Sequence, residues 1–468
     1  MKYCLVPFGC QMNISDSERV RSVLESLGYE RTVVEEEADL LGIVACSVRQ
    51  KAIDKVYTRI HKWNTWKAER SLTTFISGCV LPADQEKFVD RFDLMFTINE
   101  LPNLPEMIRH HGLVTAASLR AAEDAMHGET MGLVAGEGTP GDDGATLDPR
   151  KDYWKIAPHY SSSFEAYIPI QNGCDKFCTF CAVPYTRGRE VSRPSEEVLA
   201  EVQRLVDAGY KSLTLLGQNV NSYGLDRNGN EMSFPQLLRE IGEIGRRTAQ
   251  RRDGGGRFWV YFTSPHARDM TDEVIDVIAE YDCLAKQIHL PIQSGDDNLL
   301  LRMKRNHGVD KYRKTVEKIR LTIPKATLFT DIIVGFTGET EEQFENTRTA
   351  MREFQYNMAY IAMYSPRPGA ASARWDDDVT HEEKRRRLHE LSKELQEMSL
   401  AYNRHLMGTE QLILVDGTDR KDGYLAGKTE GRLIVRFAST DKSLIGQFVT
   451  VRIDGAAPLS MEGSVIGV

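Results

Sequence analysis

Short apolar segments alternate with amphipathic helical segments in two separate stretches of this 468-residue chain. In the first hundred residues, the strand-like segments "KYCLVPF", "ADLLGIVA" and "LTTFISG" are separated by the helix-like segments "SERVRSVLESLGY" and "RQKAIDKVYTRIHKW". Because a helix between two such strands returns the chain to begin a parallel neighbour, this order predicts an N-terminal doubly wound parallel sheet. Asp16 is the predicted N-cap of the first helix, and Gly28 is predicted to end it.

The second alternating stretch runs from residue 164 to residue 364 and contains six strand candidates. These are "FEAYIPI", "SLTLLG", "FWVYFT", "KQIHLPI", "ATLFTDIIVG" and "NMAYIAMYS". Six strand–helix units fit a partial β/α barrel better than a complete barrel, which needs eight. Helices are predicted to begin at Ser195 and at Thr340, where Thr340 and Gln343 form a capping-box pattern.

The remaining segments complete a multidomain α/β chain. Residues 119–163 are rich in Gly, Asp and Pro and are predicted to be a linker or insertion. A long charged helix is predicted after residue 376, and short strands with glycine-rich turns in the final sixty residues are typical of a small all-β barrel or sandwich. We therefore expect an N-terminal domain (1–118), the linker (119–163), the partial barrel (164–400) and a C-terminal β domain (401–468).

Charge and hydropathy limit the classes of protein to which the chain can belong. No apolar run approaches the roughly 18 to 20 residues that span a bilayer, and the first ten residues lack the pattern of a secretory signal. We therefore expect a cytoplasmic protein without a membrane partner. The net charge of −9 argues against bulk electrostatic attraction to nucleic acid, so a nucleic-acid site would have to be local.

Cys174, Cys178 and Cys181 directly follow the first strand of the second stretch, with the spacing C-x-x-x-C-x-x-C. In the cytoplasm thiols stay reduced, so a group of this kind more often binds metal than forms disulfides. A four-iron cluster takes one ligand per iron, and three thiolates would leave one iron open. The alternatives are a zinc site with a distant fourth ligand, or three unrelated thiols.

Three further cysteines, Cys10, Cys46 and Cys79, each lie just past the carboxyl end of a predicted parallel strand. Because ligand sites of doubly wound sheets form along that edge, these thiols are predicted to converge on a second cluster with three ligands. The alternative is that they are ordinary buried thiols, since cysteine is common in protein cores. Cys4 and Cys283 have no matching partners and are interpreted as core residues.

Several motifs resemble those of the radical S-adenosylmethionine methylthiotransferases. "GCDKFCTFCAVPYTRGREVSRP" resembles the cluster loop of that family, and "GCQMNISDSE", "ACSVRQKAIDKVY" and "SGC" resemble its N-terminal cluster domain. "LLGQNVNSYG", "HLPIQSGDDNLLLRMKR", "DIIVGFTGETEEQFENT" and "YSPRPGAAS" match successive barrel motifs, and the last sixty residues resemble the family's TRAM domain. The segments around Cys10 and Cys46 are most similar to the MiaB-type branch. The chain departs from the family pattern at "VACSVR", at Thr337 and at "TSPH", which concerns substrate contacts rather than the six cysteines.

The resemblance implies a reaction and its cofactors. The enzyme would transfer a methylthio group to carbon 2 of isopentenylated adenosine at position 37 of tRNA, with S-adenosylmethionine as both methyl donor and radical source. Two [4Fe-4S] clusters would bind at Cys174, Cys178 and Cys181 and at Cys10, Cys46 and Cys79. Alternative substrates are a ribosomal protein side chain and threonylcarbamoyl adenosine. The radical step needs no acid or base side chain, so no catalytic residue of that kind is assigned.

Contacts with S-adenosylmethionine are expected at strand ends that face the cluster loop. Gln218, Asn219, Gln293 and the turn that begins at Gly335 are the candidates, and ordinary turn and capping polarity is the alternative. Arg187 and Arg189 follow the cluster loop and would reach the cosubstrate or RNA, or pair with surface carboxylates.

The expected partners are the anticodon loop of tRNA, bound by the C-terminal domain, and an electron donor such as flavodoxin or ferredoxin. The chain is expected to be a monomer. Residues 408–468 contain seven Lys/Arg and eight Asp/Glu, so composition does not support RNA binding and the expectation depends on the resemblance. A different class, an RNA-binding or electron-transfer iron–sulfur protein without radical activity, is the remaining alternative.

Overall fold

The computed structural model describes residues 1–46, 50–110, 149–251 and 256–467. These residues form two compact units. The first unit consists of residues 1–161 together with 182–193, and the second consists of residues 162–181 together with 194–468. No helix in these described ranges is long and apolar enough to cross a lipid bilayer.

A five-stranded parallel sheet is the centre of the first unit, with the strand order β2-β1-β3-β4-β5. Its strands are β1 (Lys2–Phe8), β2 (Glu30–Arg31), β3 (Leu40–Cys46), β4 (Thr73–Cys79) and β5 (Leu94–Met95). All seven residues of β3 are buried, as expected for a central strand covered on both faces. Alternate residues of β3 enter two different apolar clusters, with Leu40 and Val44 in one and Leu41 and Ile43 in the other. The predicted doubly wound sheet is confirmed.

Helices cover the two faces of this sheet. Among its described residues, the first unit contains α1 (Gln11–Ser26), α2 (Gln50–Lys67), α3 (Pro82–Phe88), α4 (Leu104–His110), α5 (Pro149–Lys155) and α6 (Val183–Arg187), and a short strand, β8 (Val191–Ser192), follows. On one face Val20 and Leu24 of α1 are buried, and on the other face Ile53 and Trp63 of α2 are buried.

Two predictions for this unit need correction. Helix α1 begins at Gln11 with Cys10 as its N-cap, so Asp16 is not a cap but a buried residue within the helix. Gly28 does follow the end of the helix, in the left-handed conformation with φ = +80°. Residues 149–155 of the predicted linker form α5, and its Tyr153 and Trp154 are buried in the apolar cluster of the first unit. The rest of the predicted linker lies partly outside the described residues.

The second unit contains all six strands predicted for the partial barrel, and these six strands form two parallel sheets. They are β6 (Glu165–Pro169), β9 (Ser212–Leu216), β10 (Trp259–Phe262), β11 (Gln287–His289), β12 (Thr327–Val334) and β13 (Met358–Met363), and the short β7 (Gln171–Asn172) follows β6. They pair as β10-β9-β6 and β11-β12-β13. A single parallel bridge between Val260 and Leu284 continues the first sheet toward β11.

The described residues of the second unit form seven α-helices. They are α7 (Ser195–Asp207), α8 (Phe234–Ala249), α9 (Asp272–Glu280), α10 (Asp297–Arg302), α11 (Val309–Thr322), α12 (Glu341–Phe354) and α13 (His381–His405). The predicted start at Ser195 is confirmed. So is the capping box, because Gln343 donates its backbone N–H to Thr340 Oγ1 at 3.3 Å and Thr340 donates its backbone N–H to Gln343 Oε1 at 3.1 Å.

The C-terminal strands form a closed five-stranded barrel in the order β14-β15-β16-β18-β17, as predicted. Its strands are β14 (Glu410–Thr418), β15 (Tyr424–Thr429), β16 (Ile434–Ala438), β17 (Phe448–Ala457) and β18 (Ser460–Gly467). The barrel is packed against the first sheet of the same unit, where Leu414 and Phe448 meet Trp259 and Tyr261 in one apolar cluster.

Candidate metal centres

The sheet of the first unit brings the cysteines of its three central strands to one edge. Strand β1 ends two residues before Cys10, while Cys46 and Cys79 are the last residues of β3 and β4. The strands β1, β3 and β4 are neighbours, and Cys46 pairs in register with Cys79. The predicted convergence at the carboxyl edge of the sheet follows from this order, and Cys46 and Cys79 are buried.

Two glycines allow the chain to come this close at the edge. A Cβ atom at Gly9 would lie 2.6 Å from Cys46 Cβ, and Gly9 has φ = +152°. A Cβ atom at Gly78 would lie 2.4 Å from the carbonyl oxygen of Ala45, at a φ of +103°. Both positions therefore require glycine for steric reasons. The glycines also allow the cysteines next to them to lie close to the neighbouring strand.

Asn13 connects the loop of Cys10 to the neighbouring strand. Its amide donates to the carbonyl oxygen of Ala45 at 2.9 Å, while its Oδ1 accepts from the Cys10 backbone N–H at 3.2 Å. The Cys10 thiol also lies 3.4 Å from that oxygen, and the Asn13 side chain is fully buried. One side chain thus sets the distance between Cys10 and the end of β3.

Replacing Asn13 by alanine removes these hydrogen bonds and leaves buried polar backbone groups without partners. We expect the variant to lose about 1–3 kcal/mol of stability and to retain less iron at the N-terminal centre. Chemical denaturation and iron analysis after anaerobic reconstitution measure the two effects. Asn103→Ala changes an exposed asparagine of the same unit and serves as the matched control. An Asn13→Ala protein with unchanged stability and iron would contradict the proposed role of this amide.

A buried arginine also contacts this centre. Arg187 donates from Nε to Cys79 Sγ at 2.9 Å and from Nη2 to Asp16 Oδ2 at 2.5 Å. Tyr153 donates its hydroxyl to the other oxygen of Asp16 at 2.7 Å. The Arg187 and Asp16 side chains are 2% and 0% exposed, so the carboxylate that pairs with Arg187 is buried and not, as one alternative expected, at the surface. Contact of Arg187 with the cosubstrate or RNA stays a prediction. Arg189, two residues further on, is exposed.

Burial and neighbouring groups shift the pKa values of the ionisable side chains at this edge. The Cys46 side chain and burial hold the pKa of the Cys79 thiol well above its usual value, although the Arg187 charge acts in the opposite direction. Burial also raises the pKa of Cys10. Burial opposes the charge of Arg187, but Asp16 and Cys79 outweigh that effect and keep the pKa of Arg187 well above its usual value. Both thiols therefore favour the protonated form, and Arg187 is the fixed positive charge that acts against this at Cys79.

The three cysteines of the second unit lie on a tightly held loop directly after β6 and β7. Phe177 adopts a left-handed conformation with φ = +48°, and the Cys181 backbone N–H donates to the Cys178 carbonyl oxygen at 3.0 Å. Thr179 holds the loop to the barrel, since its hydroxyl donates to the Arg302 carbonyl oxygen at 2.8 Å. Cys174 and Cys178 are buried and Cys181 is partly exposed, which leaves one side of the loop accessible.

The four residues predicted to contact S-adenosylmethionine have different surroundings. Gln218 accepts the Gly173 backbone N–H at 2.6 Å, immediately before Cys174. Asn219 is buried and donates to Asp269 at 3.2 Å and to Ser222. These two residues therefore lie beside the cysteine loop.

Gln293 and Gly335 have mainly structural contacts in the described part of the chain. Gln293 has φ = +71°, and its backbone exchanges hydrogen bonds with the neighbouring strand β12. Gly335, with φ = +66°, donates its N–H to Glu339 Oε2, and a Cβ atom there would lie 2.2 Å from Lys384 Cγ. The roles of all four residues toward the cosubstrate remain predictions.

The structure adds a set of polar residues beside the loop that sequence reasoning missed. Lys176 pairs with Asp269 at 2.6 Å, and the rings of His266 and His307 lie 5.6 Å apart. Arg305 Nη1 lies 3.6 Å from Cys178 Sγ. These residues could have been found in the sequence from their positions, because "TSPH" directly follows β10 and Arg305 ends the motif "HLPIQSGDDNLLLRMKR".

Several buried atoms of this set have no hydrogen-bond partner among the described residues. They are Asn219 Oδ1, Arg305 Nε and His307 Nε2. Burial, with the Arg305 charge, lowers the pKa of His266 to about 2 and that of His307 to about 4, so both rings are neutral at pH 7. Burial opposes the charge on Asp269, but the hydrogen bond from Lys176 prevails and lowers its pKa to about 2. Buried polar atoms without partners fit a polar ligand beside Cys178.

A ready-made site for a single metal ion, built from three or more His, Cys, Asp or Glu side chains, is not found within the described ranges. The assignment of the six cysteines as cluster ligands therefore remains a prediction. The donor set nevertheless fits such clusters, because each centre offers three cysteine thiols.

Three family models match the chain in the order of its segments. Residues 2–98 match "Uncharacterized protein family UPF0004", residues 168–351 match the "Radical SAM superfamily" and residues 404–466 match the "TRAM domain". The first match covers the parallel sheet of the first unit, the second covers most of the partial barrel, and the third covers the closed β-barrel.

Curated relatives match almost the whole chain. A "tRNA-2-methylthio-N(6)-dimethylallyladenosine synthase" of Geobacter metallireducens is 38% identical over 461 residues, which are 98% of this chain and 97% of that protein. The protein of the same name from Actinobacillus succinogenes is 36% identical over 467 residues, covering 98% and 91% of the two chains.

Among solved structures, the radical S-adenosylmethionine methyltransferase TsrM from Kitasatospora setae has a TM-score of 0.49 and 13% identity, covering 91% of this chain and 77% of that one. The sequence comparisons decide the relationship. With matching models in all three segments and relatives of at least 36% identity over nearly its full length, the chain belongs to the radical S-adenosylmethionine methylthiotransferase family.

Proposed function

We propose that this protein transfers a methylthio group to carbon 2 of N6-dimethylallyl (isopentenylated) adenosine at position 37 of tRNA. The observation that carries the proposal is the presence of two separate three-cysteine centres, one at the edge of the N-terminal sheet and one on the loop after β6. A transfer reaction of this kind needs one centre for radical generation and one for the sulfur that is transferred. The names of the relatives supply the substrate.

The loop of Cys174, Cys178 and Cys181 would hold a [4Fe-4S] cluster with one open iron. S-adenosylmethionine bound beside this loop would supply the radical that removes hydrogen from the substrate carbon. The surrounding side chains would bind and orient this cosubstrate. Asn219 Oδ1, Arg305 Nε and His307 Nε2 are buried without described partners, and neutral imidazoles can donate or accept without adding charge.

The second [4Fe-4S] cluster would be held by Cys10, Cys46 and Cys79. Close approach at Gly9 and Gly78, together with the Asn13 tether, holds the three thiols at one sheet edge. The burial of Cys46 and Cys79 would protect a reactive sulfur held at this edge from side reactions with water.

The proposed substrate within the family is based on the names of the relatives and on the chemistry of RNA recognition. A base in the anticodon loop is single-stranded, so it can leave the stack and enter a pocket. The TRAM segment is the proposed tRNA-binding domain, fixed to the barrel through Arg432, which donates to Thr214 Oγ1 at 2.9 Å. A cytoplasmic monomer that receives electrons from a flavodoxin or ferredoxin completes the proposal.

The test is mass spectrometry of tRNA nucleosides from cells that lack this protein, with and without the gene restored. We expect 2-methylthio-N6-isopentenyladenosine to be absent without the protein and N6-isopentenyladenosine to accumulate in its place. Restoration with the intact protein should reverse both changes. If the methylthio nucleoside is unchanged and instead a ribosomal protein or threonylcarbamoyl adenosine loses its methylthio group, the proposed substrate is wrong and the corresponding alternative is right.

A further inference from the structure

A chain of hydrogen bonds leads from the surface helix α5 to a sulfur atom of the N-terminal centre. Tyr153 donates to Asp16, Asp16 accepts from Arg187, and Arg187 donates from its Nε to Cys79 Sγ at 2.9 Å. The four residues come from four different segments of the first unit. The Asp16 and Arg187 side chains are at most 2% exposed.

Burying an arginine in this way is costly unless its donors are used. An uncompensated buried charge can cost several kcal/mol, so the guanidinium needs partners in more than one direction. Asp16 neutralises it on one side, and Tyr153 uses the remaining oxygen of Asp16, which keeps that carboxylate from turning away. The Nε–H group then points at the Cys79 sulfur, and it is a charge-assisted donor when that sulfur is a metal-bound thiolate.

We propose that Arg187 is a positioning residue of the N-terminal cluster, with its Nε–H group bound to the Cys79 sulfur and its orientation maintained by Asp16 and Tyr153. This inference rests on the proposed cluster at Cys10, Cys46 and Cys79. Hydrogen bonds to cluster sulfurs and nearby positive charge stabilise the reduced form, which carries more negative charge, and so raise the reduction potential. Arg187 therefore has two effects: it orients one ligand and makes the cluster easier to reduce.

Arg187 lies on a segment that follows the cysteine loop of the other centre. Arg187 lies six residues after Cys181, the last cysteine of the other centre, yet it belongs to the first unit. The segment of residues 182–193 thus supplies the N-terminal centre with its cation. The formation of a complete environment around Cys79 requires this segment to be folded.

The test isolates the N-terminal cluster by replacing Cys174, Cys178 and Cys181 with alanine and reconstituting this parent protein anaerobically. Arg187→Lys retains a cation for Asp16 but loses the planar donor toward sulfur. Tyr153→Phe leaves Arg187 in place and removes only the hydroxyl that holds Asp16. Arg189→Lys, the same change at an exposed arginine two residues away, is the matched control. Iron content, sulfide content and the midpoint potential from an EPR-monitored titration are measured for each.

We expect Arg187→Lys to keep its iron and shift the midpoint potential to a more negative value, and Tyr153→Phe to shift it less in the same direction. Arg189→Lys should match the parent. An Arg187→Lys protein with the parent's iron content and potential would refute the role of Arg187 while leaving the cluster assignment intact. A parent that binds no iron would overturn the cluster assignment, and with it the proposal. Should Arg187→Lys fail to assemble the cluster, Tyr153→Phe decides: an unchanged potential there refutes the orientation by Asp16 and Tyr153.

Discussion

A Cys174→Ala variant is expected to lose methylthio transfer completely and to retain the iron of only one cluster. The physical reason is that a cubane cluster needs a ligand for each iron, and the loop after β6 supplies only three thiolates. With two thiolates left and an open position already reserved for the cosubstrate, the cluster at this loop cannot be held. Reconstituted wild-type protein should contain about eight irons and the variant about four.

The matched control is Cys283→Ala, which removes a buried thiol of the same unit that is packed against Gly245 and lies outside both centres. It should retain both clusters and full activity apart from a modest loss of stability. The reciprocal variant, with Cys10, Cys46 and Cys79 all replaced by alanine, should still cleave S-adenosylmethionine reductively to 5′-deoxyadenosine while forming no methylthio product. Full iron content in either cysteine variant would show that the affected thiols are core residues rather than ligands.

The second large effect is expected from Arg387→Ala, which should destabilise the protein by about 3–5 kcal/mol because it leaves a buried carboxylate without its cation. Arg387 of α13 donates to Glu339 Oε2 at 2.7 Å and to the Glu339 carbonyl oxygen at 2.9 Å. The two side chains are 5% and 1% exposed. Glu339 also accepts the N–H of Gly335, so the pair connects the last long helix to the turn expected near the cosubstrate.

The stability lost in the Arg387→Ala variant should depend on pH, and the burial of Glu339 determines the direction of this dependence. Burial raises the pKa of Glu339 in the folded protein, and the hydrogen bond and charge of Arg387 partly offset this rise. Without Arg387 the folded pKa rises further above the unfolded value, so the folded state binds the proton more tightly. The cost of the ionised carboxylate is therefore fully present above the folded pKa and diminishes as the pH falls toward the unfolded value.

Urea denaturation of the apoprotein at pH 8 and at pH 5 measures the loss of stability and its dependence on pH. We expect a smaller difference between Arg387→Ala and wild type at pH 5 than at pH 8. Arg385→Ala, an exposed arginine on the same helix, should change the stability by no more than about 0.5 kcal/mol. Equal losses at the two pH values would show that packing of the Arg387 side chain, rather than the charge of Glu339, dominates.

Helix–strand alternation proved a reliable guide to the fold because it is a local property of the chain. The three central strands of the N-terminal sheet and the six barrel strands were predictable from their own apolar segments, and the C-terminal barrel from its short strands and turns. The two-residue edge strands β2 and β5 were not predicted, because neither is long enough to form a pattern. The rule that parallel strands end at one sheet edge was sufficient to predict that Cys10, Cys46 and Cys79 lie close together. The spacing of Cys174, Cys178 and Cys181 needed no tertiary information.

Features that depend on contacts between distant segments could not be read in this way. Asp16 has the residue type of a helix cap, but its partners, Tyr153 and Arg187, are 137 and 171 residues away. Helix α5 follows a segment rich in glycine and is stabilised by burial of its aromatic residues rather than by a pattern of its own. The polar atoms beside Cys178 come from different loops of the second unit, and none of these segments is distinctive by itself.

The sequence by itself thus determined the order of elements, the two sets of three cysteines and the family to which the chain belongs. Only the tertiary structure decided which charges surround those cysteines. Hydrophobic periodicity and ligand spacing are encoded over a few neighbouring residues, so a single segment is sufficient to show them. The burial of Arg187 beside Cys79, in contrast, is favourable only when Asp16 is present to compensate its charge, and that pairing exists only in the folded chain.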